Sequence, residues 1–139
     1  MNVLIIDGQG GQLGVRLVKE IAEKMPEVNI TAVGTNATAT AAMLKAGAKQ
    51  GATGENPVVV AVRKADVIMG PVGIVIADSL MGEVTEKMAV AVGRADAARI
   101  LIPVNKCENI IAGVPCLNLG ELTSDAVSKL KSISDSKNT

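Results

Sequence analysis

The chain has 139 residues, 48% hydrophobic and 20% charged, with 14 basic residues against 14 acidic ones and no His, Phe, Trp or Tyr. A chain of this length can bury about two-thirds of its unfolded surface, so one aliphatic core suffices. The charge balance, with no basic run, speaks against nucleic acid as a partner, and the most apolar stretch, 67–77, is too short for a bilayer and is broken by Gly70, Pro71 and Gly73.

Two cysteines, Cys107 and Cys116, are too few for a zinc site or a Cys-x-x-Cys pair. The N-terminus enters a strand without a basic region or cleavage site, and a cytoplasmic location is the expectation.

Residues 2–7 (NVLIID) form an unbroken apolar run ending at glycines, the pattern of a strand buried on both faces. A turn over 8–14 leads into a helix over 12–25, with Leu13, Leu17, Ile21 and Met25 at four-residue intervals and Pro26 as its stop. A second strand is predicted over 28–34. Asn36 caps a helix over 37–46 that closes at Gly47. A short third strand over 49–52 precedes a helix capped by Asn56, with Pro57 in its first turn, ending near Ala65. The fourth strand, 67–69, stops at Gly70-Pro71. Helical pattern resumes near Ile74 and again over 85–94, followed by a fifth strand at 99–104. A sixth is predicted over 109–114 and, because the connection is short, antiparallel to the fifth. A helix over 121–133 closes the chain. Strands and helices alternate at crossover lengths. The expected fold is therefore α/β, a Rossmann-like, doubly wound, mainly parallel sheet of five to six strands with helices on both faces, in one domain over 1–133 with a polar tail, 134–139.

The segment Asp7-Gly8-Gln9-Gly10-Gly11-Gln12-Leu13-Gly14 carries Gly-x-x-Gly-x-x-Gly at Gly8, Gly11 and Gly14. In a phosphate loop Gly8 allows the tight exit from the strand, Gly11 lets the backbone approach a pyrophosphate, and Gly14 lets the helix lie close on the sheet. The amides and positive end of the helix then face the anion. The motif sits between a buried strand and an amphipathic helix, the context it requires. The alternative is a tight turn whose glycines serve packing alone.

The first half of the chain, from the glycine loop through Ala46-Gly47-Ala48, Asn56-Pro57 and Ala65-Asp66-Val67-Ile68, resembles the N-terminal half of the NmrA-like atypical short-chain dehydrogenases. The whole chain more closely resembles a small bacterial family of Rossmann-like proteins of unknown function, through IIDGQGGQLG, TNATATAAMLKAGA, GATGENPV, GPVGIVIADSLMGE and ILIPVNKC. These resemblances imply a fold, with NAD or NADP as conceivable cofactors, and no activity.

Departures from dehydrogenases matter. Where an acid for NAD or an Arg for NADP should follow the second strand stands Gly34-Thr35-Asn36. The hydroxyl and amide of Thr35 and Asn36 are expected to donate to a ribose hydroxyl or a phosphate alike, giving weak binding that barely separates NAD from NADP. Asp7 sets a carboxylate at the mouth of the anion site. A Tyr-Lys hydride mechanism is impossible without tyrosine.

The expected ligand-binding set is Gly8, Gln9, Gly10, Gly11, Gln12 and Gly14, with Thr35 and Asn36, and Gly70, Pro71 and Gly73 after the fourth strand. Thr53, Gly54, Glu55, Asn56 and the Lys106-Cys107 pair belong to the same carboxyl edge of the sheet. Asn36 and Asn56 are also explained as helix caps, Gly70 to Gly73 as a turn, and Asp78 and Glu83 as solvated or capping. Cys116, after Pro115, reads as structural.

Three functions compete: a non-catalytic binder of a nucleotide, dinucleotide or other phosphate-bearing small molecule; a small enzyme using Asp7 or Lys106 with Cys107; and an oligomeric structural protein with an empty site. Gly11→Val is expected to abolish ligand binding and spare the fold. The apolar surplus at Val84, Met88 and Ala91 and over 74–77 predicts a homo-oligomer, a dimer or higher.

Overall fold

The computed structural model describes residues 1–104, 109–114 and 117–138. Five strands, β1 (Asn2–Asp7), β2 (Asn29–Gly34), β3 (Gln50–Thr53), β4 (Val67–Pro71) and β5 (Ala98–Ile102), make one sheet in the order β3-β2-β1-β4-β5, and every pairing is parallel. The chain builds outward from β1 on one side, then crosses back to lay β4 on the other. The β1–β4 boundary is thus the point where the winding reverses, the place where doubly wound sheets open a crevice at their carboxyl edge.

The period-2 alternation of the strands divides the apolar residues between two cores. Val3 and Ile5 of β1 join Val67 and Met69 of β4 beneath α1 (Gln12–Lys24), α2 (Ala37–Ala46) and α5 (Leu119–Lys137). Leu4, Ile6 and Ile68 point the other way, beneath α3 (Glu55–Ala61), a 3-10 turn at Val72–Val75 and α4 (Glu86–Arg94). Leu13, Leu17 and Ile21 give α1 its buried stripe, as their spacing predicts, and Lys24 pairs with Glu20 at 2.6 Å on its wet side. Among the described residues no helix is long and apolar enough to cross a membrane.

Several expectations change. Residues 109–114 form no strand: Ile110 is 94% exposed, and Gly113, at φ 80°, turns the chain. The sheet ends at β5, which α5 packs against, so no antiparallel strand is added. The apolar run was a poor strand signal there because a left-handed glycine interrupts it. The last helix is longer than expected, running from an Asn118 cap, whose Oδ1 accepts from the Glu121 amide at 2.8 Å, to Lys137, which pairs with Asp66 at 3.6 Å. Gly54, not Asn56, precedes α3, and that helix ends at Ala61. Ile74, Val84 and Met88, which the sequence offers as an associating face, are buried in the second core beneath the chain's own sheet. Val75 and Ala91 are partly buried against the same core, and Ala77 stays exposed.

Candidate functional site

β1 delivers Asp7 to the carboxyl edge of the sheet, where its side chain is 5% exposed. Its Oδ1 accepts from the Gly8 amide and its Oδ2 from the Gly14 amide, both at 2.8 Å, and the Leu13 amide contributes as well. Gly11, in the N-cap position of α1 at φ 74°, has no side chain to offer. Asp7 therefore caps the helix from four residues upstream, and occupies part of the amide cradle that a phosphate would need. Burial pushes its carboxyl above the ordinary value of 3.8; the hydrogen bonds from Gly14 and Gly8 oppose this without overcoming it, and the nearby Glu83 charge adds to the rise.

The loop glycines do different work. A Cβ on Gly11 would lie 2.9 Å from Ala39 Cα, and one on Gly14 would strike Met43, so both glycines let α1 and its loop pack closely against α2. Gly8 leaves room for Thr35 Oγ1 and Glu83 Oε1. Gly10 differs: a Cβ there meets nothing within 4 Å. The Gly11 amide closes the turn onto the Gly8 carbonyl at 2.9 Å, whereas the Gly10 and Gln12 amides have no partner among the described residues. A cleft of about 260 Å³ lies over this loop, lined by residues from Asp7 to Leu13. A larger groove, about 380 Å³, runs between β3 and α3 past Val33, Pro57 and Val60, with Lys64 as the charged residue of its lining.

The unexpected member is Glu83. Its Oε1 accepts from Thr35 Oγ1 at 2.6 Å, Asn36 Nδ2 at 2.8 Å and the Gln9 amide at 3.0 Å. Burial opposes ionisation of this carboxyl, but the hydrogen bonds from Thr35, Gln9 and Asn36 outweigh it and hold it below its ordinary value of 4.5. Glu83 arrives on a connection folded in an uncommon way. Asp78, Leu80 and Met81 all have left-handed backbones, at φ 66°, 54° and 57°, and Gly82 follows at 87°. The Asp78 amide bonds the Val84 carbonyl at 2.8 Å, and the Ser79 hydroxyl bonds the Gly73 and Ile76 carbonyls, closing the loop on itself. Leu80 anchors it in the core at 1% exposure, while Met81 stands 93% exposed.

Thr35 and Asn36 are thus at the carboxyl edge, where the donors expected to meet a ligand have partners within the protein. The Thr35 hydroxyl donates to Glu83. Asn36 Nδ2 gives its two hydrogens to Gln9 O, at 2.9 Å, and to Glu83, while its Oδ1 caps α2 by accepting from the Ala39 amide at 2.9 Å. The corner that lacked an acid in the sequence holds one after all, contributed from 48 residues beyond Thr35. Nothing local marks Glu83; the adjacent Gly82 signals a turn and no more.

Gly70, Pro71 and Gly73 are buried behind this edge. A Cβ on Gly70 would collide with the Ile6 carbonyl, and one on Gly73 would lie 2.9 Å from Ser79 Oγ, so packing accounts for both glycines. Glu55 turns away to accept from Thr85 Oγ1 at 2.7 Å, tying α3 to the cap of α4, and Thr53 meets Thr40 at 2.7 Å. Asn56 is exposed. Lys106, Cys107 and Cys116 lie outside the described residues. Among the described residues no group of three or more acidic or cysteine side chains is placed to hold a metal.

None of the curated proteins matches the chain. Among solved structures, it is similar to a dodecameric FMN-dependent Ubix-like decarboxylase from Escherichia coli O157:H7, with 19% identity over 93% of this chain and 76% of that one, and a TM-score of 0.44. Residues 2–135 match the family described as "Domain of unknown function (DUF3842)", and the chain belongs to that family.

Proposed function

We propose that the protein binds a nucleotide or dinucleotide in the cleft over the loop after β1. The observation that carries this reading is the open ground at Gly10. A backbone with no atom within 4 Å of a missing Cβ lies between a strand end and a helix start, beside two amides that have no partner among the described residues.

The two carboxylates narrow the choice of phosphate. A further negative charge about 5 Å from either one costs about 3 kcal/mol at an effective dielectric near 20. A terminal phosphate, close to a dianion, meets that penalty nearly twice over. The pyrophosphate of a dinucleotide carries one charge per phosphorus and can rest on the Gly10 and Gln12 amides. NAD and NADP are accordingly better candidates than inorganic phosphate. A catalytic use of Asp7 is less well supported, because both its oxygens are engaged in capping α1.

Self-association belongs to the same proposal. With Ile74, Val84 and Met88 turned inward, its support moves to β3, all of whose residues are exposed, and to Leu44 and Val60.

Thermal unfolding with NAD, NADP, ADP and inorganic phosphate tests the ligand reading. At least one dinucleotide should raise the melting temperature of the wild type. Gly10→Val should remove that shift while leaving the ligand-free melting temperature within about 2 °C. If none of NAD, NADP and ADP stabilises the wild type, the reading is wrong.

A further inference from the structure

We infer that Glu83 is the ribose-binding carboxylate of this site, and that through it the protein selects an unphosphorylated ribose. The inference rests on the nucleotide reading above and deepens it.

Glu83 Oε1 is held by three donors from two separate segments, which fixes the orientation of the carboxylate. No donor among the described residues reaches Oε2. Since every fully buried side-chain oxygen or nitrogen among the described residues has a partner, Oε2 lies where solvent reaches it. The corner therefore presents a fixed acceptor outward. Its neighbours cannot substitute for it: the Thr35 hydroxyl and both hydrogens of Asn36 Nδ2 are committed, so the groups beside Oε2 have no donor left for a ligand phosphate. A hydroxyl that donates suits this corner. A phosphate that can only accept does not.

The location agrees. The Thr35 amide bonds the Asp7 carbonyl at 2.9 Å, and Asp7 pairs with Gly34, so Thr35 and the carboxylate on it stand beside the carboxyl ends of β1 and β2. In dinucleotide-binding doubly wound folds the ribose acid occupies that corner and belongs to the segment after the second strand. Here the same position is filled from the β4–α4 connection. The absence of a side chain at Gly8 makes room for it, since a Cβ there would collide with Thr35 Oγ1 and press to 3.0 Å from Glu83 Oε1.

Calorimetry with NAD and NADP, on the wild type and on Glu83→Gln, tests this. The wild type should bind NAD at least tenfold more tightly than NADP. Glu83→Gln keeps a carbonyl to accept from Gln9, Thr35 and Asn36 and replaces the outward acceptor by a donor. It should weaken NAD binding about tenfold and shift the NAD-to-NADP ratio at least tenfold toward NADP. Equal wild-type affinities, or an unchanged ratio in the variant while Gly10→Val still abolishes binding, would overturn the role of Glu83 and leave the nucleotide reading intact. Failure of the wild type to bind NAD, NADP or ADP removes both. The wild-type comparison needs no variant, so it decides even if Glu83→Gln does not fold.

Discussion

Asp7 accepts a hydrogen bond from the amide of Gly14, seven residues on, at 2.8 Å, and so closes the start of α1 with a side chain from the end of β1. Strand, loop and helix are stapled by one carboxylate, which also takes up amides that an anion would otherwise use. Asp7→Ala should cost about 1 kcal/mol, no more than a typical cap although three amides lose their acceptor, because removing the ion also removes its desolvation penalty. It should also open the helix start to anions. Sulfate is expected to stabilise the variant more than the wild type in thermal unfolding, and equal stabilisation of the two would show that the amides beneath Asp7 are no anion site.

The two carboxylates at this edge should titrate with opposite signs in stability. Asp7 has a folded pKa above 3.8, so the native state keeps a proton that the unfolded chain has lost, and stability falls as pH rises through the window from 3.8 to the raised value. Glu83 has a folded pKa below 4.5. Its contribution is fully present above 4.5 and disappears as pH falls through the lowered value. Urea midpoints between pH 3 and 7 check this. Relative to wild type, Asp7→Asn should gain with rising pH, and Glu83→Gln should lose. Two difference curves of the same sign would contradict the assignment.

Gly10 and Gly11 are adjacent in sequence and opposite in constraint. Gly11 has φ 74°, and its missing Cβ would sit 2.9 Å from the main chain of Ala39, so Gly11→Ala should destabilise by about 2–4 kcal/mol from left-handed strain and the clash together. Gly10→Ala should stay within about 0.5 kcal/mol. Gly11→Val, which the motif alone suggests as a clean probe of the ligand, would confound binding with folding. Chemical denaturation of the two alanine variants separates them.

The residues show why some of this was legible and some not. The unbroken apolar run of β1, the four-residue spacing in α1 and the Asn36 cap are local patterns, set by burial on both faces, helical period and capping chemistry, and each occurs where its pattern predicts. The glycine loop was found by spacing, but spacing does not tell a glycine that admits a ligand from one that admits Ala39 or Met43. Glu83 reads from sequence as solvated or capping because its place depends on three successive accommodations: a left-handed loop, a buried Leu80 and the space at Gly8. None has a periodic signal. The sixth strand failed for the converse reason, an apolar run that a left-handed Gly113 interrupts.

The loop that carries Glu83 offers a last test, because two neighbouring residues share one backbone conformation and differ in everything else. Leu80 and Met81 have φ 54° and 57°, in the region that disfavours any residue with a Cβ by about 1–2 kcal/mol. Leu80 is 1% exposed and fills the second core; Met81 is 93% exposed and touches little. Replacing either by glycine relieves the strain and adds about 0.5–1 kcal/mol of unfolded-chain entropy against folding. For Met81→Gly these nearly balance, with a net gain of about 0.5 kcal/mol expected, a rise of roughly 2 °C in melting temperature. For Leu80→Gly the lost core packing, about 2–5 kcal/mol, dominates. The loop then loosens, and the Glu83-dependent discrimination between NAD and NADP should weaken with it. Differential scanning calorimetry of both variants at several protein concentrations supplies the measurement. A clear loss of stability in Met81→Gly that grows with protein concentration would mean that this side chain is buried against a second copy, and that its exposure in the single chain conceals an interface.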